Sequence, residues 1–304
     1  MSIFDQKVIK YEMKPLSSLE KVFPDETPVY RMECQMLSGL WGETVSFQVA
    51  YTGDFVMRER LDVRVVSELA EHVHVRTVEM VPVGRATNGI VDDNYLKTIS
   101  GLYPDLLKDL KDGKVIVYSR QWRSLWVDVD ITNEIPAGEY EIELQLIKEG
   151  EVVCSAKQKV TVIGTELPKL DIMHTEWMHA DCLADYYHVE VFSEEHWKLL
   201  ENYFQEYVKR DCNMMLTPLF TSPLDTAIGL ERTTCQLIDV EVKDGEYVFG
   251  FAKLKRWIDL CKKCGIEYFE MSHLFSQWGA KYAPKVVATV NGKKEKIFGW
   301  HTPA

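Results

Sequence analysis

The hydrophobic pattern of this chain changes its period at Leu167-Pro168. Before that point apolar and polar residues alternate, for example in Val45-Ser46-Phe47-Gln48-Val49 and in Tyr140-Glu141-Ile142-Glu143-Leu144. A period of two is typical of strands that bury one face of a sheet. We therefore predict that residues 1–166 form an N-terminal antiparallel β-sandwich, interrupted by a short helix near residues 103–110.

After residue 167, apolar stretches of strand length take turns with amphipathic stretches of helix length. Strands are predicted at residues 170–176, 213–220 and 268–274. One helix begins after Ser193, a favoured N-cap residue, and another ends at Gly265, a favoured C-cap residue. This order indicates βα units and a parallel sheet. Because a complete (β/α)8 barrel needs at least about 200 residues, we expect residues 167–304 to hold only the first portion, about three strands, of a TIM-type barrel.

Composition and charge restrict the class of function. No apolar run approaches the roughly 18 residues of a membrane span, so no membrane partner is expected. The net charge of −12 disfavours nucleic acid, which requires clustered Lys and Arg. The N-terminus shows no signal peptide, and the seven cysteines are thinly spread, which favours reduced thiols and a cytoplasmic location. Cys261 and Cys264 have the spacing of zinc ligands but lack a second pair, so we predict no metal site.

A polar and aromatic segment, His174 to Tyr187, follows the first predicted strand of the second half. It shows neither helical nor strand periodicity, so it is either a functional site or a polar loop that caps a strand. In a (β/α)8 barrel the functional residues stand at the carboxyl ends of the strands. The candidate substrate-binding residues selected in this way are Trp177, His179, Asp181, Thr217, His273, Gln277 and Trp278.

Each of these candidates also has a purely structural interpretation. The two tryptophans either stack on the apolar faces of a sugar or fill the space beneath a loop. His179, Asp181 and His273 either bind hydroxyl groups or orient one another. Thr217 is the weakest candidate, because a threonine at a strand end needs no ligand to explain it.

Several separated motifs carry a resemblance to one known family. They are Gly42 to Gln48, Tyr103-Pro104-Asp105, Ser124 to Val127, Thr175 to Tyr187 and Ser272 to Tyr282. Together they resemble bacterial proteins related to glycoside hydrolase family 123. The resemblance implies a β-sandwich followed by a (β/α)8 barrel, an amino-sugar glycan as the partner, and no cofactor. It also implies release of β-linked N-acetylgalactosamine by a substrate-assisted, retaining route.

The sequence departs from that family at its catalytic groups, which are an adjacent Asp-Glu pair. In the family, Asp steadies the substrate's 2-acetamido group during its attack, and Glu protonates the leaving oxygen. The only Asp-Glu dipeptide here is Asp25-Glu26, before the sandwich proper. We therefore expect the catalytic pair to lie beyond residue 304, and we expect this chain to be inactive alone and to self-associate through its incomplete barrel.

Three functions remain open from the sequence. The chain is a portion of a glycosidase without its catalytic pair, a carbohydrate-binding protein with a degenerate barrel, or a structural module built on the sandwich. Glu176 and Glu270 are weak alternatives as a substitute acid and nucleophile. The sugar identity and its linkage stay undetermined.

Overall fold

The chain folds into two compact units, Met1–Pro168 and Lys169–Ala304. In the computed structural model the described residues are 10–29, 36–55, 57–87, 89, 91, 93–169, 171–223, 226–227, 229–275 and 279–303. The boundary between the units falls at Pro168, beside the change of hydrophobic period.

The first unit contains ten strands in two five-stranded sheets within the described residues. In chain order they are β1 (Lys10–Ser17), β2 (Met36–Trp41), β3 (Thr44–Asp54), β4 (Arg58–Val66), β5 (Val73–Val83), β6 (Gly101–Asp109), β7 (Lys114–Tyr118), β8 (Arg123–Asp130), β9 (Gly138–Lys148) and β10 (Glu151–Glu166). One sheet has the order β1-β3-β8-β5-β6 and the other has the order β2-β10-β9-β4-β7.

The alternating residues of both sheets meet in one core. Phe47 and Val49 of β3 are buried with Ile142 and Leu144 of β9, which belongs to the other sheet. Burial of these side chains is the main stabilising contribution to such a fold. The sandwich predicted from the alternation is thus present, but its pairing is not entirely antiparallel, because β10 and β2 are parallel.

The helix predicted near residues 103–110 is wrong. These residues belong to β6, which pairs antiparallel with β5 at the edge of its sheet. Pro104 fits there because an edge strand tolerates a residue that has no N–H group to donate. Leu102 and Leu106 also lie on this edge strand and are exposed. Because these apolar residues are not part of the buried face, they gave a misleading helical pattern.

The second unit contains three helices and six strands in its described residues. The helices are α1 (Ala180–Tyr187), α2 (Glu194–Val208) and α3 (Ala252–Cys264). The strands are β11 (Met214–Thr217), β12 (Asp239–Lys243), β13 (Glu246–Gly250), β14 (Tyr268–Met271), β15 (Val286–Val290) and β16 (Lys293–Phe298). Strands β11 and β14 pair in parallel, as the βα pattern predicts. That this unit begins a (β/α)8 barrel remains a prediction.

Local sequence signals explain the longer helices. The Ser193 hydroxyl accepts a hydrogen bond from the His196 N–H group at 3.2 Å and so caps α2. Helix α2 buries Trp197, Leu200 and Phe204 on one face. Helix α3 ends at Gly265, whose φ of 103° is one that side-chain-bearing residues rarely adopt.

Two predictions for the start of this unit are wrong. The strand predicted at residues 170–176 is absent from its described part, residues 171–176, where the backbone meets the start of β11 only at His174, whose carbonyl accepts from Asn213 and Met214. The following residues do form a helix, α1, although we expected no helical period there. Its buried stripe consists of Ala180, Leu183 and Ala184, whose spacing of three and four residues is helical.

Two hairpins form a separate four-stranded sheet, which we call the accessory sheet, with the order β13-β12-β15-β16. Both hairpin turns contain a residue pair of the kind that favours a tight turn, Asp-Gly in one and Asn-Gly in the other. Asp244 and Gly245 have φ values of 51° and 84°, and Asn291 and Gly292 have φ values of 48° and 80°. Positive φ at both central residues is the signature of tight two-residue hairpins. One hairpin follows β11 in the chain, and the other follows β14.

Candidate functional site

Trp177, Glu270 and His273 lie together at the carboxyl end of β14, and we call them the Trp177 cluster. The indole Nε1 of Trp177 donates a hydrogen bond to the Glu270 carboxylate Oε2 at 2.9 Å. The indole also meets the His273 imidazole edge to face, with ring centroids 5.6 Å apart and an interplanar angle of 78°. Trp177 is 47 % exposed. The cluster therefore presents an aromatic surface to solvent beside a carboxylate and an imidazole.

Backbone contacts between the two parallel strands hold the cluster in place. Glu270 stands opposite Leu216 in the parallel register. Past the strand ends, the Ser272 N–H group donates to the Thr217 carbonyl at 2.9 Å, and the Ser272 hydroxyl donates to the Phe220 carbonyl at 3.3 Å. These bonds fix the segment that carries His273.

Thr217 lies beneath this surface. It is completely buried, and its hydroxyl donates to the Met215 carbonyl at 3.1 Å. A buried hydroxyl that already has a partner is a scaffold contact. Thr217 thus orders the strand end but presents no group to solvent.

Asp181 also lies below the surface, in a buried ion pair. Its carboxylate accepts two hydrogen bonds from Arg232, at 2.8 Å from Nε and 3.1 Å from a terminal nitrogen. Arg232 also approaches the Cys182 sulfur at 3.0 Å. His179 is the N-cap residue of α1, and its side chain makes no capping bond. The sequence interpretation missed Arg232, because no local pattern links it to a residue 51 positions away.

Tyr207 is a second residue that the sequence analysis did not select. Its hydroxyl accepts from the Glu176 N–H group at 2.8 Å and lies 2.7 Å from the Met214 carbonyl. Burial raises the pKa of this phenol, so the hydroxyl keeps its proton. Tyr207 thereby holds the segment before Trp177 against the start of β11.

The two alternative catalytic carboxylates occupy different environments. Glu270 is partly buried and holds the Trp177 indole, whereas the Glu176 side chain is 77 % exposed and its carboxylate lies 3.5 Å from His174 Nε2.

Gln277 and Trp278, the remaining candidates, lie outside the described residues. Within the described ranges, no three His, Cys, Asp or Glu side chains are grouped to hold a metal ion. No helix there is long and apolar enough to cross a membrane.

Comparison with known proteins finds a matching family model and a solved structure with a similar fold. Residues 177–303 match the model of the glycoside hydrolase 123 catalytic domain. A family 123 glycoside hydrolase from Clostridium perfringens, studied for glycolipid glycan hydrolysis, superposes with a TM-score of 0.68 at 13 % identity. The match covers 95 % of this chain and 52 % of that chain, so this sequence spans about half the length of that protein. At this identity the likeness shows a shared fold.

Other solved structures resemble the chain only in part. A β-glucosidase from Listeria innocua superposes with a TM-score of 0.24 at 10 % identity, over 53 % of this chain and 17 % of that chain. Comparison with curated proteins gives no match.

Proposed function

We propose that this chain, which is a glycoside hydrolase family 123-like protein, is the sugar-binding portion of an enzyme that cleaves β-linked N-acetylhexosamine. N-acetylgalactosamine is the sugar that we propose first. The observation that carries the proposal is the Trp177 cluster, because it lies at the carboxyl end of a parallel strand within the matched residues. The carboxyl ends of parallel strands are where this class of fold places its ligands.

The chemistry of the cluster suits a sugar. The exposed part of the indole can pack on the apolar C–H face of a pyranose ring, which is a common use of tryptophan in ligand sites. Glu270 keeps one carboxylate oxygen, Oε1, that the Trp177 hydrogen bond does not use. That oxygen and the His273 imidazole can bind sugar hydroxyls at the ring edge. A polar rim around an aromatic platform gives orientation as well as affinity.

We propose that bond cleavage requires an Asp-Glu pair that the second unit does not contain. Residues 169–304 contain no such dipeptide. In the substrate-assisted route the acetamido oxygen attacks the anomeric carbon while Asp steadies the acetamido group and Glu protonates the departing oxygen. Glu270 already binds the Trp177 indole N–H group through one carboxylate oxygen, so we assign it to sugar binding rather than to bond cleavage.

A glycan carried on a lipid is the substrate class that we propose for the complete enzyme. The Clostridium perfringens protein was studied for its hydrolysis of glycolipid glycans. The net charge of −12 suits a neutral glycan better than a strongly anionic one.

The test compares this chain with a longer protein that contains it and an Asp-Glu pair. The longer protein should hydrolyse an aryl β-N-acetylgalactosaminide, and the 304-residue chain should not. In the longer protein, Trp177→Ala should lower kcat/KM by about two- to tenfold, because a lost aromatic contact is worth roughly 0.5–1.5 kcal/mol. Trp278→Ala should have an effect of the same size.

Tyr186→Ala is the matched control, since Tyr186 is an exposed aromatic residue of α1 that lies outside the Trp177 cluster. It should leave kcat/KM unchanged. Turnover by the 304-residue chain alone would refute the missing pair and direct attention to Glu176 and Glu270. Unchanged kinetics in Trp177→Ala would show that the cluster is scaffold.

A further inference from the structure

A cleft opens at one corner of the sandwich, between its two sheets, and we call it the corner cleft. Strands β5 and β6 of one sheet form one side, and strands β4 and β7 of the other sheet form the opposite side. Its volume is about 480 Å³, within the range of roughly 300–1,000 Å³ that is usual for small-molecule sites. All of its described lining residues belong to the first unit.

The inner face of the first sheet changes from apolar to polar at this corner. Leu125 of β8 is completely buried in the core, whereas Arg123, two residues earlier on the same face, lines the cleft. The register places Tyr51 opposite Arg123, Thr77 opposite Leu125 and Lys108 opposite Thr77. Paired residues of antiparallel strands share a face. Polar side chains therefore stand at inward positions, where they cost free energy unless polar partners satisfy them.

The corner cleft is basic. Five of the described cationic residues line it, which are Arg60, Lys108, Lys111, Lys114 and Arg123. Arg60 is paired with Asp112 at 2.9 Å, and Lys114 is paired with Asp62 at 3.1 Å. In the described part of the chain, no carboxylate forms an ion pair with the other three. The net charge of −12 disfavours anions over the protein as a whole, so these three cations form a local region of positive potential.

Arg123 is held in place with part of its donor edge unused. Its guanidinium carbon lies 5.1 Å from the centroid of the Tyr118 ring, and one terminal nitrogen donates to Gln121 at 3.0 Å. Its Nε atom is buried and has no hydrogen-bond partner among the described residues. A guanidinium binds the paired oxygens of an anion through adjacent N–H groups. A buried donor of this kind costs free energy unless a ligand satisfies it.

Acceptor groups stand beside the cations. The Glu79 carboxylate lies 2.8 Å from the Thr77 hydroxyl, and Asp109 also lines the cleft. The buried Tyr51 hydroxyl lies 3.4 Å from the Ile116 carbonyl, and burial raises the pKa of Tyr51, so the phenol keeps its proton. The two carboxylates repel a bare anion but accept hydrogen bonds from hydroxyl groups. The cleft thus suits a ligand that carries both an anionic group and hydroxyl groups.

We infer that the corner cleft binds an acidic sugar, a pyranose that carries a carboxylate or a sulfate group. The anionic group binds Arg123, Lys108 and Lys111, and the ring hydroxyls donate to Glu79 and Asp109. The site anchors the protein to an acidic glycan through its first unit. This inference goes beyond the proposed function, because it concerns neither the Trp177 cluster nor the bond that the enzyme cleaves.

The test titrates the 304-residue chain with small glycosides at low ionic strength, followed by saturation-transfer NMR of the ligand. The acidic probes are methyl β-glucuronide and methyl β-galactoside 6-sulfate. Their neutral counterparts are methyl β-glucoside and methyl β-galactoside. At least one acidic probe should bind saturably, and its neutral counterpart should bind about tenfold or more weakly, because the charge-assisted hydrogen bonds are lost. The acidic probe that binds more tightly identifies the anionic group.

Arg123→Gln and Lys108→Gln should each weaken binding of the acidic probe by about tenfold. Lys108 is exposed, so its variant reports on binding even if Arg123→Gln impairs folding. Lys159→Gln is the matched control, because Lys159 is an exposed lysine of β10 that does not line the cleft. It should leave the affinity unchanged.

Binding of neither acidic probe would overturn the inference, as would equal affinity for an acidic probe and its neutral counterpart. Inorganic sulfate that binds as tightly as the sulfated sugar would refute the sugar as ligand. Unchanged affinity in Lys108→Gln and in folded Arg123→Gln would refute the corner cleft as the site. Failure of the longer protein to hydrolyse its substrate would refute the proposed function instead and would leave the titration of the first unit unaffected.

Discussion

Among the candidate site residues, some support the fold and others remain accessible to a ligand. Asp181 was a candidate sugar ligand, yet its side chain is only 8 % exposed and its carboxylate is bound by Arg232 at two points. A buried charge is tolerated when a partner neutralises it and satisfies its hydrogen bonds. The ion pair therefore secures the first turn of α1 against the long segment that follows β11. Trp177 and His273 remain accessible to a ligand.

Removing one member of this pair should destabilise the second unit. Asp181→Asn leaves the Arg232 guanidinium buried without its countercharge, and we expect a loss of about 3 kcal/mol in the free energy of unfolding. Urea unfolding monitored by circular dichroism measures it. Asp185→Asn is the matched control on the same helix, because Asp185 is exposed and accepts from Thr233. Asp185→Asn should lower the free energy of unfolding by less than 1 kcal/mol.

A double variant tests whether Asp181 and Arg232 stabilise the second unit as a pair. Replacing both residues with apolar ones, Asp181→Leu with Arg232→Met, should recover most of the stability lost in Asp181→Asn. Additive losses in the double variant would show that the two side chains act independently, contrary to the bidentate contact.

Helices α1 and α2 are joined through a buried histidine. His196 is completely buried, and its Nδ1 accepts from the Phe192 N–H group at 2.9 Å. Its Nε2 lies 2.9 Å from the Ala180 carbonyl at the start of α1 and donates to it. Both nitrogens are thus satisfied by the neutral ring. Burial lowers the pKa of His196, because it disfavours the charged form.

This arrangement predicts a pH dependence of stability. The unfolded chain binds a proton on His196 below its usual pKa of about 6.5, whereas the folded chain does so only at lower pH. The stabilising contribution of His196 is therefore present above about pH 6.5 and is lost as the pH falls toward the lowered folded pKa. Urea unfolding between pH 7.5 and pH 5 should show this loss in the wild type. His196→Gln should be less stable at pH 7.5 and should have a flatter profile.

His72, which is partly exposed in a short turn of the first unit, supplies the control. His72→Gln should keep the wild-type profile. A wild-type slope that persists unchanged in His196→Gln would assign the effect to other groups.

The elements that the sequence predicts correctly have local signals. Ser193 and Gly265 mark helix ends, and the Asp244-Gly245 and Asn291-Gly292 pairs mark hairpins, because each of these positions needs a particular backbone conformation. Helix α1 escaped prediction because its buried stripe is only three small or medium residues long, and its stability depends on contacts with distant residues such as Arg232.

The candidate site, like the fold, could be predicted only where a local signal marks it. Trp177 and His273 were selected from their places at the ends of predicted strands, although the strand predicted before Trp177 does not form. Their contact with Glu270 depends on the parallel register of β11 and β14, which joins residues far apart in sequence.

For the whole molecule, the two units differ in how completely their sheets are paired. The sandwich joins five strands in each sheet, whereas β11 and β14 pair only with each other in the described part of the second unit. A strand with an unpaired side presents N–H and C=O groups that another chain can bind. Apolar side chains around this sheet are also exposed, including Ile172, Met173, Tyr268 and Met271.

We therefore predict that the 304-residue chain self-associates through the region around β11 and β14. Its apparent mass should rise with concentration in sedimentation experiments, and it should bind a hydrophobic dye, because exposed apolar patches favour both. Met271→Lys should reduce association and dye binding, since a charged residue on an open strand opposes pairing. Val248→Lys, on the exposed edge strand β13 of the accessory sheet, is the matched control and should reduce them less. A monodisperse monomer that binds no dye and melts cooperatively would refute this prediction and show that the short parallel sheet is stable as it stands.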